Sequence, residues 1–380
     1  MNKIYLLTAA FAVMASLSGC SDTELASIDT VQEKTPIGFH TVGSQMESRA
    51  TSINSTNLTN YSFNVYAFNR KDDGTDDAVF MCTNDEELGY SGVNISYQDG
   101  KWNYTNQADL KYWPTGSLNF YAVSPASDPI FYSWQISQTE KKISYFSSDE
   151  YGSNPQPYID VMYAIAPNQS KSNKGGKVQL KFRHITSQVV FKAKKQRADM
   201  NVEIKSIKLH NLETSGVFTI PTNDTPKRSD WTPQSPTYKC GLTVINKGND
   251  DPKITVSTDA TDISSSKPMF LIPQQLTAWD TSHNKDEADT KKQSYLSIEC
   301  KISIGDVYYS GSKSGYGTLY VPFEADWKPG KRYVYTLIFG GGYDKDGNPI
   351  LQPINFEPSV EDWGNVDDNT STDKDIPLYQ

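Results

Sequence analysis

Cys20 is the residue of this 380-residue chain whose type and position point most directly to a chemistry. It follows Leu17-Ser18-Gly19, and small residues ahead of a cysteine suit the narrow site of a signal peptidase. Its thiol is then the group that bacterial lipoprotein processing converts to a thioether-linked lipid. The other reactive types are scattered. His40, His184, His210 and His283 lie far apart, and Cys82, Cys240 and Cys300 remain as an odd number at wide spacing. Those three thiols allow one disulfide but form neither a disulfide framework nor a metal-site pattern. Asp344-Lys345-Asp346-Gly347-Asn348 begins like a calcium loop but lacks the later acidic ligand, so a turn is expected there. No Gly-x-Ser-x-Gly elbow, His-Glu-x-x-His helix or phosphate-cradling glycine loop occurs. The sequence therefore offers no catalytic constellation, metal site or cofactor site, and a structural hydrogen bond is the expected role of His184.

The elements around Cys20 explain how it is presented. Lys3 precedes an apolar run from Ile4 to Ala15, too short to cross a bilayer, which takes roughly 20 residues. Residues 1–19 read as a cleaved lipoprotein signal and 20–35 as a polar, acidic, flexible tether. A multiply acylated Cys20 would hold the mature chain to a membrane, at roughly 0.8 kcal/mol per buried methylene. The net charge is -9 with no basic stripe, which argues against nucleic-acid partners.

The mature body, about 360 residues long, is large for one core and suggests two domains. Its 23 tyrosines, with many Thr, Ser, Asn, Gly and Pro, suit short strands joined by turns. Ile37–Val42 reads as a first strand, followed by the polar Gln45–Ala50. In Tyr61–Phe68, Phe63, Val65 and Ala67 alternate with Ser62, Asn64 and Tyr66. Asp72-Asp73-Gly74 and Asp99-Gly100 are turn signals, the second of them a hairpin. Leu118, Phe120 and Ala122 share a face between Pro114 and Pro125. Residues 168–176 form a natural linker, after which Val178, Leu180 and Phe182 alternate. A shift of phase between Ile204 and Ile207 predicts a bulge. Leu296, Ile298, Cys300, Ile302 and Ile304 alternate strictly, so Cys300 is expected as a buried free thiol. Lys328-Pro329-Gly330-Lys331 is a turn before the strand Tyr333–Phe339. No window carries a sustained 3.6-residue period. The expectation is an all-β chain of two sandwiches, 36–172 and 173–380.

Several segments, taken in order, resemble the fimbrillin-like proteins, the subunits and accessory pilins of protease-assembled type V pili. They are the lipoprotein signal, Glu47-Ser48-Arg49-Ala50-Thr51, and Tyr112-Trp113-Pro114 through Pro125. Val178–His184 leading into Val189–Lys192, Phe270-Leu271-Ile272-Pro273-Gln274, and Trp327–Tyr335 with Val360-Glu361-Asp362-Trp363 complete the set. The resemblance implies two tandem transthyretin-like β-sandwiches, a role in cell adhesion without enzymatic activity, and a place in a fimbrium at the outer membrane. It implies other pilin subunits and host or bacterial surface ligands as partners. It also implies an arginine-specific protease that cuts between Arg49 and Ala50, so that the first strand, with Ile37 and Phe39, is displaced and donor-strand exchange follows. The rival reading is a cell-surface glycan-binding lipoprotein, motivated by Tyr112, Trp113 and the wealth of tyrosine. Aromatics in strands are expected to pack in the core more often than to stack on sugars.

Overall fold

The computed structural model describes residues 35–42, 53, 57–85, 89–126, 132–146, 159–223, 225–234, 240–264, 269–282, 284–340 and 355–362. All of these lie in one compact unit, Thr35–Gln380. Among them the backbone is dominated by strands, as the alternation predicts, and the single α-helix is the six-residue Lys285–Thr290, capped by Asn284.

A seven-stranded sheet runs in the order Arg183–His184, Met162–Gln169, Leu118–Ser124, Phe63–Arg70, Val93–Gln98, Lys101–Tyr104, with Asp76–Met81 also on Phe63–Arg70. One face carries Phe63, Val65, Phe120 and Ala122, which pack with Ile37, Phe39, Val178, Leu180 and Phe182. The opposite face carries Tyr66, Phe68, Val123 and Tyr163, which pack with Ile143, Tyr145, Phe218 and Trp231. Tyr66, which alternation would turn to solvent, is therefore fully buried. The strand lies in the middle of a sheet covered on both faces, so its burial is nearly continuous.

The four-stranded sheet over that second face runs Trp231–Pro233, Ser215–Thr219, Lys141–Phe146, Tyr132–Ile136. Five antiparallel pairs, from Lys142↔Thr219 to Phe146↔Ser215, join strands more than 60 residues apart in the chain. The expected linker at 168–176 instead ends the strand Met162–Gln169 and forms a short helical turn at Asn173–Gly176, and the segment after it reaches back. Lys177–Lys181 pairs with Gly38–Val42, and Arg183–His184 pairs with Met162 and Tyr163. The regular alternation of Val178, Leu180 and Phe182 thus serves the core built by residues 37–166.

A further core lies between two more sheets. The first holds Ser187–Lys195, Lys331–Phe339 and Asn355–Asp362, and the second holds Cys240–Asn246, Met200–Leu212 and Tyr295–Ile304. Val189, Phe191, Leu209, Ile298 and Trp327 meet inside it. The predicted bulge is present, because the register against Tyr295–Ile304 shifts between Ile204 and Ser206. It keeps Val202, Ile204, Ile207 and Leu209 all buried despite the change of phase. Asp99 and Gly100 both have positive φ, 52° and 78°, and close the two-residue hairpin between Gln98 and Lys101. Gly330, at φ 67°, makes the turn before Lys331–Phe339 and donates to the Thr186 carbonyl at 2.8 Å. Cys300 is fully buried and in no disulfide, with its thiol pushed up to about 11 by burial, and Cys82 is in no disulfide either.

Candidate functional site: the first strand and its groove

The sequence places two apolar residues, Ile37 and Phe39, at the period of a strand, and the fold uses both as core. Ile37 is 1% exposed and Phe39 is 6% exposed. The Phe39 ring meets Phe63 and Phe120 edge-on at 6.3 Å and Tyr104 at 5.9 Å. Burial pushes the Tyr104 phenol up to about 12. Each of the two side chains contributes about 1.5–3 kcal/mol through burial.

The strand Gly38–Val42 is held along its length by parallel pairing with Lys177–Lys181, in a register running from Gly38↔Lys177 to Val42↔Lys181. Its other side is tied more sparsely. Ile37 donates its N–H to the Lys111 carbonyl at 2.9 Å, and Trp113 donates its N–H to the Thr35 carbonyl at 3.0 Å. Pro36 and Tyr112 form an antiparallel bridge, and Trp102 Nε1–H donates to Thr41 Oγ1 at 2.8 Å. A strand so placed contributes both a sheet partner and core side chains, yet it belongs to the chain's start and is followed by residues 43–52. Its removal would uncover Phe63, Phe120, Val178 and Leu180 and leave the Lys177–Lys181 backbone without its partner.

Of the residues singled out in the sequence, Ile37 and Phe39 are thus buried side by side in one core. Cys20, Arg49, Ala50 and the 344–348 turn lie outside the described residues, as do Trp363 and His283. Trp113, in the loop before Leu118–Ser124, is half-buried, with Nε1–H on the Gly176 carbonyl at 2.9 Å and its ring edge-on to Phe120, so it packs against the core. Trp327 is fully buried and donates to Tyr335 Oη at 2.9 Å. Among the described residues, no group of three or more His, Cys, Asp or Glu side chains is placed to hold a metal.

His184 makes the expected hydrogen bond, with Nδ1 2.8 Å from Asp160 Oδ1. Sequence reasoning missed the partner, and it missed that Asp160 Oδ2 accepts the Ile53 N–H at 2.7 Å. No spacing signal links residues 107 positions apart. Also unforeseen is His210, stacked on Tyr295 at 4.5 Å with Nε2 2.8 Å from Ser297 Oγ. Burial first, and then the Lys208 charge, lower it to about 4. The folded state therefore keeps His210 neutral at pH values where the unfolded chain, near 6.5, takes up a proton. Stability should fall as pH drops from about 6.5 to about 4 and then stop responding to this group. Urea midpoints across that window are expected to fall less for His210→Gln than for the parent.

A model of the fimbrillin-like family matches residues 48–363. Among solved structures, a fimbrial protein from Bacteroides vulgatus is similar over 86% of this chain and 99% of its own, at 18% identity and a TM-score of 0.59. A candidate cell adhesion protein from Bacteroides uniformis covers 86% of this chain and 99% of its own, at 13% identity and a TM-score of 0.41. The tip fimbrial protein Mfa3 from Porphyromonas gingivalis covers 80% of this chain and 94% of its own, at 10% identity and a TM-score of 0.37. No curated protein matches the chain. The match over residues 48–363, well above half of the sequence, shows that the chain belongs to the fimbrillin-like family of fimbrial proteins.

Proposed function

We propose that the chain is exported as a lipoprotein on Cys20 and serves as a pilus subunit or an accessory, tip pilin at the outer-membrane surface. On this reading an arginine-specific protease cuts between Arg49 and Ala50, the first strand leaves with the lipid anchor, and a strand of another subunit takes its place. The observation that carries the reading is the first strand itself. Ile37 and Phe39 fill a core whose other residues lie downstream of Arg49, and the strand's backbone pairs along one side with Lys177–Lys181 and is tied at Thr35–Ile37 on the other. Strand addition supplies what such a vacated site needs, namely backbone hydrogen bonds for affinity and alternate side chains for register.

The arginine distribution supports cleavage at Arg49. The sequence has six arginines, of which Arg70, Arg183 and Arg332 lie in paired strands. Arg197 is paired with Asp199 and Arg228 with Asp326. Backbone held in a ladder resists entry to a protease cleft, which shields Arg70, Arg183 and Arg332 but not Arg197 or Arg228, whereas the polar neighbours of Arg49 suit it. We also place the change-over between the two sandwiches near Ile185 rather than 173, since Lys177–Lys181 and Arg183–His184 pair with earlier strands.

The experiment is to treat the mature chain and its Arg49→Ala variant with an arginine-specific protease and follow particle size. The parent is expected to pass from monomer to polymer, while the variant stays monomeric. Equal polymerisation of the two would end the reading.

A further inference from the structure

Ile53 is 1% exposed and belongs to the same core as Ile37 and Phe39. Its N–H is held by Asp160 Oδ2 at 2.7 Å, and the other oxygen of that carboxylate meets His184 Nδ1 at 2.8 Å. Asp160 is 2% exposed and His184 is 3% exposed. Burying a carboxylate is costly unless it is paired and hydrogen-bonded, and a charge-assisted bond is roughly twice as strong as a neutral one. The fold thus sets a buried, paired carboxylate against a single backbone amide. That amide lies four residues after Arg49.

Ten residues, 43–52, separate Val42 from Ile53, and Arg49 is the seventh of them. A cut after Arg49 leaves three residues, 50–52, ahead of Ile53, with a reach of about 10 Å when extended. If Ile53 were not held, the next buried residue described would be Leu58. The five residues from Ile53 to Asn57 would then give Ile53 about 17 Å of reach, against about 4.8 Å between neighbouring strands. A loose chain start bearing an isoleucine would be within range of the space left by Ile37 and Phe39.

We propose that Asp160, backed by His184, is a positioning residue that pegs the chain at Ile53, so that cleavage opens the groove without the new chain start folding into it. The proposal rests on the strand-release reading above and adds the device that keeps the acceptor groove empty. Before the cut, the same peg fixes one end of the segment that carries Arg49, and the first strand fixes the other.

The test uses the full mature chain, cleaved after Arg49 and freed of the N-terminal fragment, as parent, Asp160→Ala and Asp160→Asn. Asparagine keeps an oxygen that can accept the Ile53 N–H. Two readings are taken: amide exchange at Ile53 before and after cleavage, and binding of a synthetic peptide of residues 36–42. The parent should protect Ile53 in both states and bind the peptide saturably. Asp160→Ala should exchange at Ile53 about tenfold faster or more. Once cleaved, it should bind the peptide about tenfold more weakly or worse, while Asp160→Asn falls between the parent and Asp160→Ala in both readings. Unchanged exchange in Phe63–Arg70 reports an intact fold, and if Asp160→Ala loses it, His184→Gln takes its place. Protection at Ile53 that vanishes from the cleaved parent, or peptide binding by cleaved Asp160→Ala equal to the parent's, overturns the peg. A cleaved parent that binds no peptide overturns strand release instead, and Ile53 exchange in that same sample still decides whether the peg holds.

Discussion

Phe39→Ala is expected to lower the stability of the folded chain by about 3–5 kcal/mol, the cost of emptying a large aromatic site in a packed core. Phe39 lies against three rings, those of Phe63, Tyr104 and Phe120, and the residues around it come from several strands of the seven-stranded sheet. Those strands are fixed by their own ladders, so the cavity cannot collapse fully. The loss is expected to fall unevenly. Gly38–Val42 is held by one parallel partner and a few bonds to Lys111, Tyr112 and Trp102, whereas Phe63–Arg70 has ladder partners on both sides. Amide exchange in 38–42 should therefore accelerate by a larger factor than exchange in Phe63–Arg70 or in Ser187–Lys195, which belongs to a different core. Equal acceleration everywhere would mean that the first strand opens only when the whole chain unfolds. That outcome would deprive strand release of its physical basis.

The position of the first strand also sharpens what the proposed lipid anchor on Cys20 would do. Cys20, Ile37 and Phe39 all precede Arg49, so a single cut would separate both the anchor and the strand from the body. The strand cannot leave early without exposing Phe63 and Phe120, which are fully buried in the intact chain. Core packing therefore opposes loss of the strand, and on the proposed reading release would await both the cut and a replacement strand with an equivalent set of apolar side chains.

Local features of this fold were legible in the residues, and long-range ones were not. Asp99-Gly100 announced its hairpin because a two-residue turn needs positive φ at both positions, which suits that pair. The change of phase after Ile204 announced a bulge, since only an extra residue keeps both apolar pairs inward. The strict alternation from Leu296 to Ile302 gave one buried face and placed the Cys300 thiol within it. The burial of Tyr66 is not legible in the residues, because alternation detects one covered face and is blind to a second. Nothing local couples Gly38–Val42 to Lys177–Lys181, or Lys142 to Thr219, since register between distant strands is settled by the whole core. The same holds for the site. Ile37 and Phe39 could be read as an apolar strand, but the groove around them and the Asp160 contact to Ile53 exist only once the sheets have assembled.

Lys141→Ala is expected to cost about 3–5 kcal/mol, as breaking one partner of a buried ion pair does. Lys141 Nζ lies 2.5 Å from Asp76 Oδ2, with the two side chains 14% and 5% exposed. Asp76 also accepts from Asn119 Nδ2 at 2.8 Å and from Tyr121 Oη at 3.1 Å. The ammonium donates to the carbonyls of Ser137 and Gln138 and stands 4.8 Å from the Phe68 ring centre. Burial first, and then the nearby Asp76 charge, hold the Tyr121 phenol well above its usual range. Removing Lys141 alone strands the carboxylate between two sheets. Removing both charges, as in Asp76→Asn with Lys141→Ala, leaves no unpaired ion and should restore most of the loss. Asp76 belongs to the seven-stranded sheet and Lys141 to the four-stranded sheet that also holds Ser215–Thr219. The pair thus fastens the layers where early and late parts of the chain meet. Urea denaturation of the parent, both single variants and the double variant would close the cycle. A double variant as unstable as Lys141→Ala would show that the lysine acts through packing on Phe68 and Tyr121 rather than through its charge.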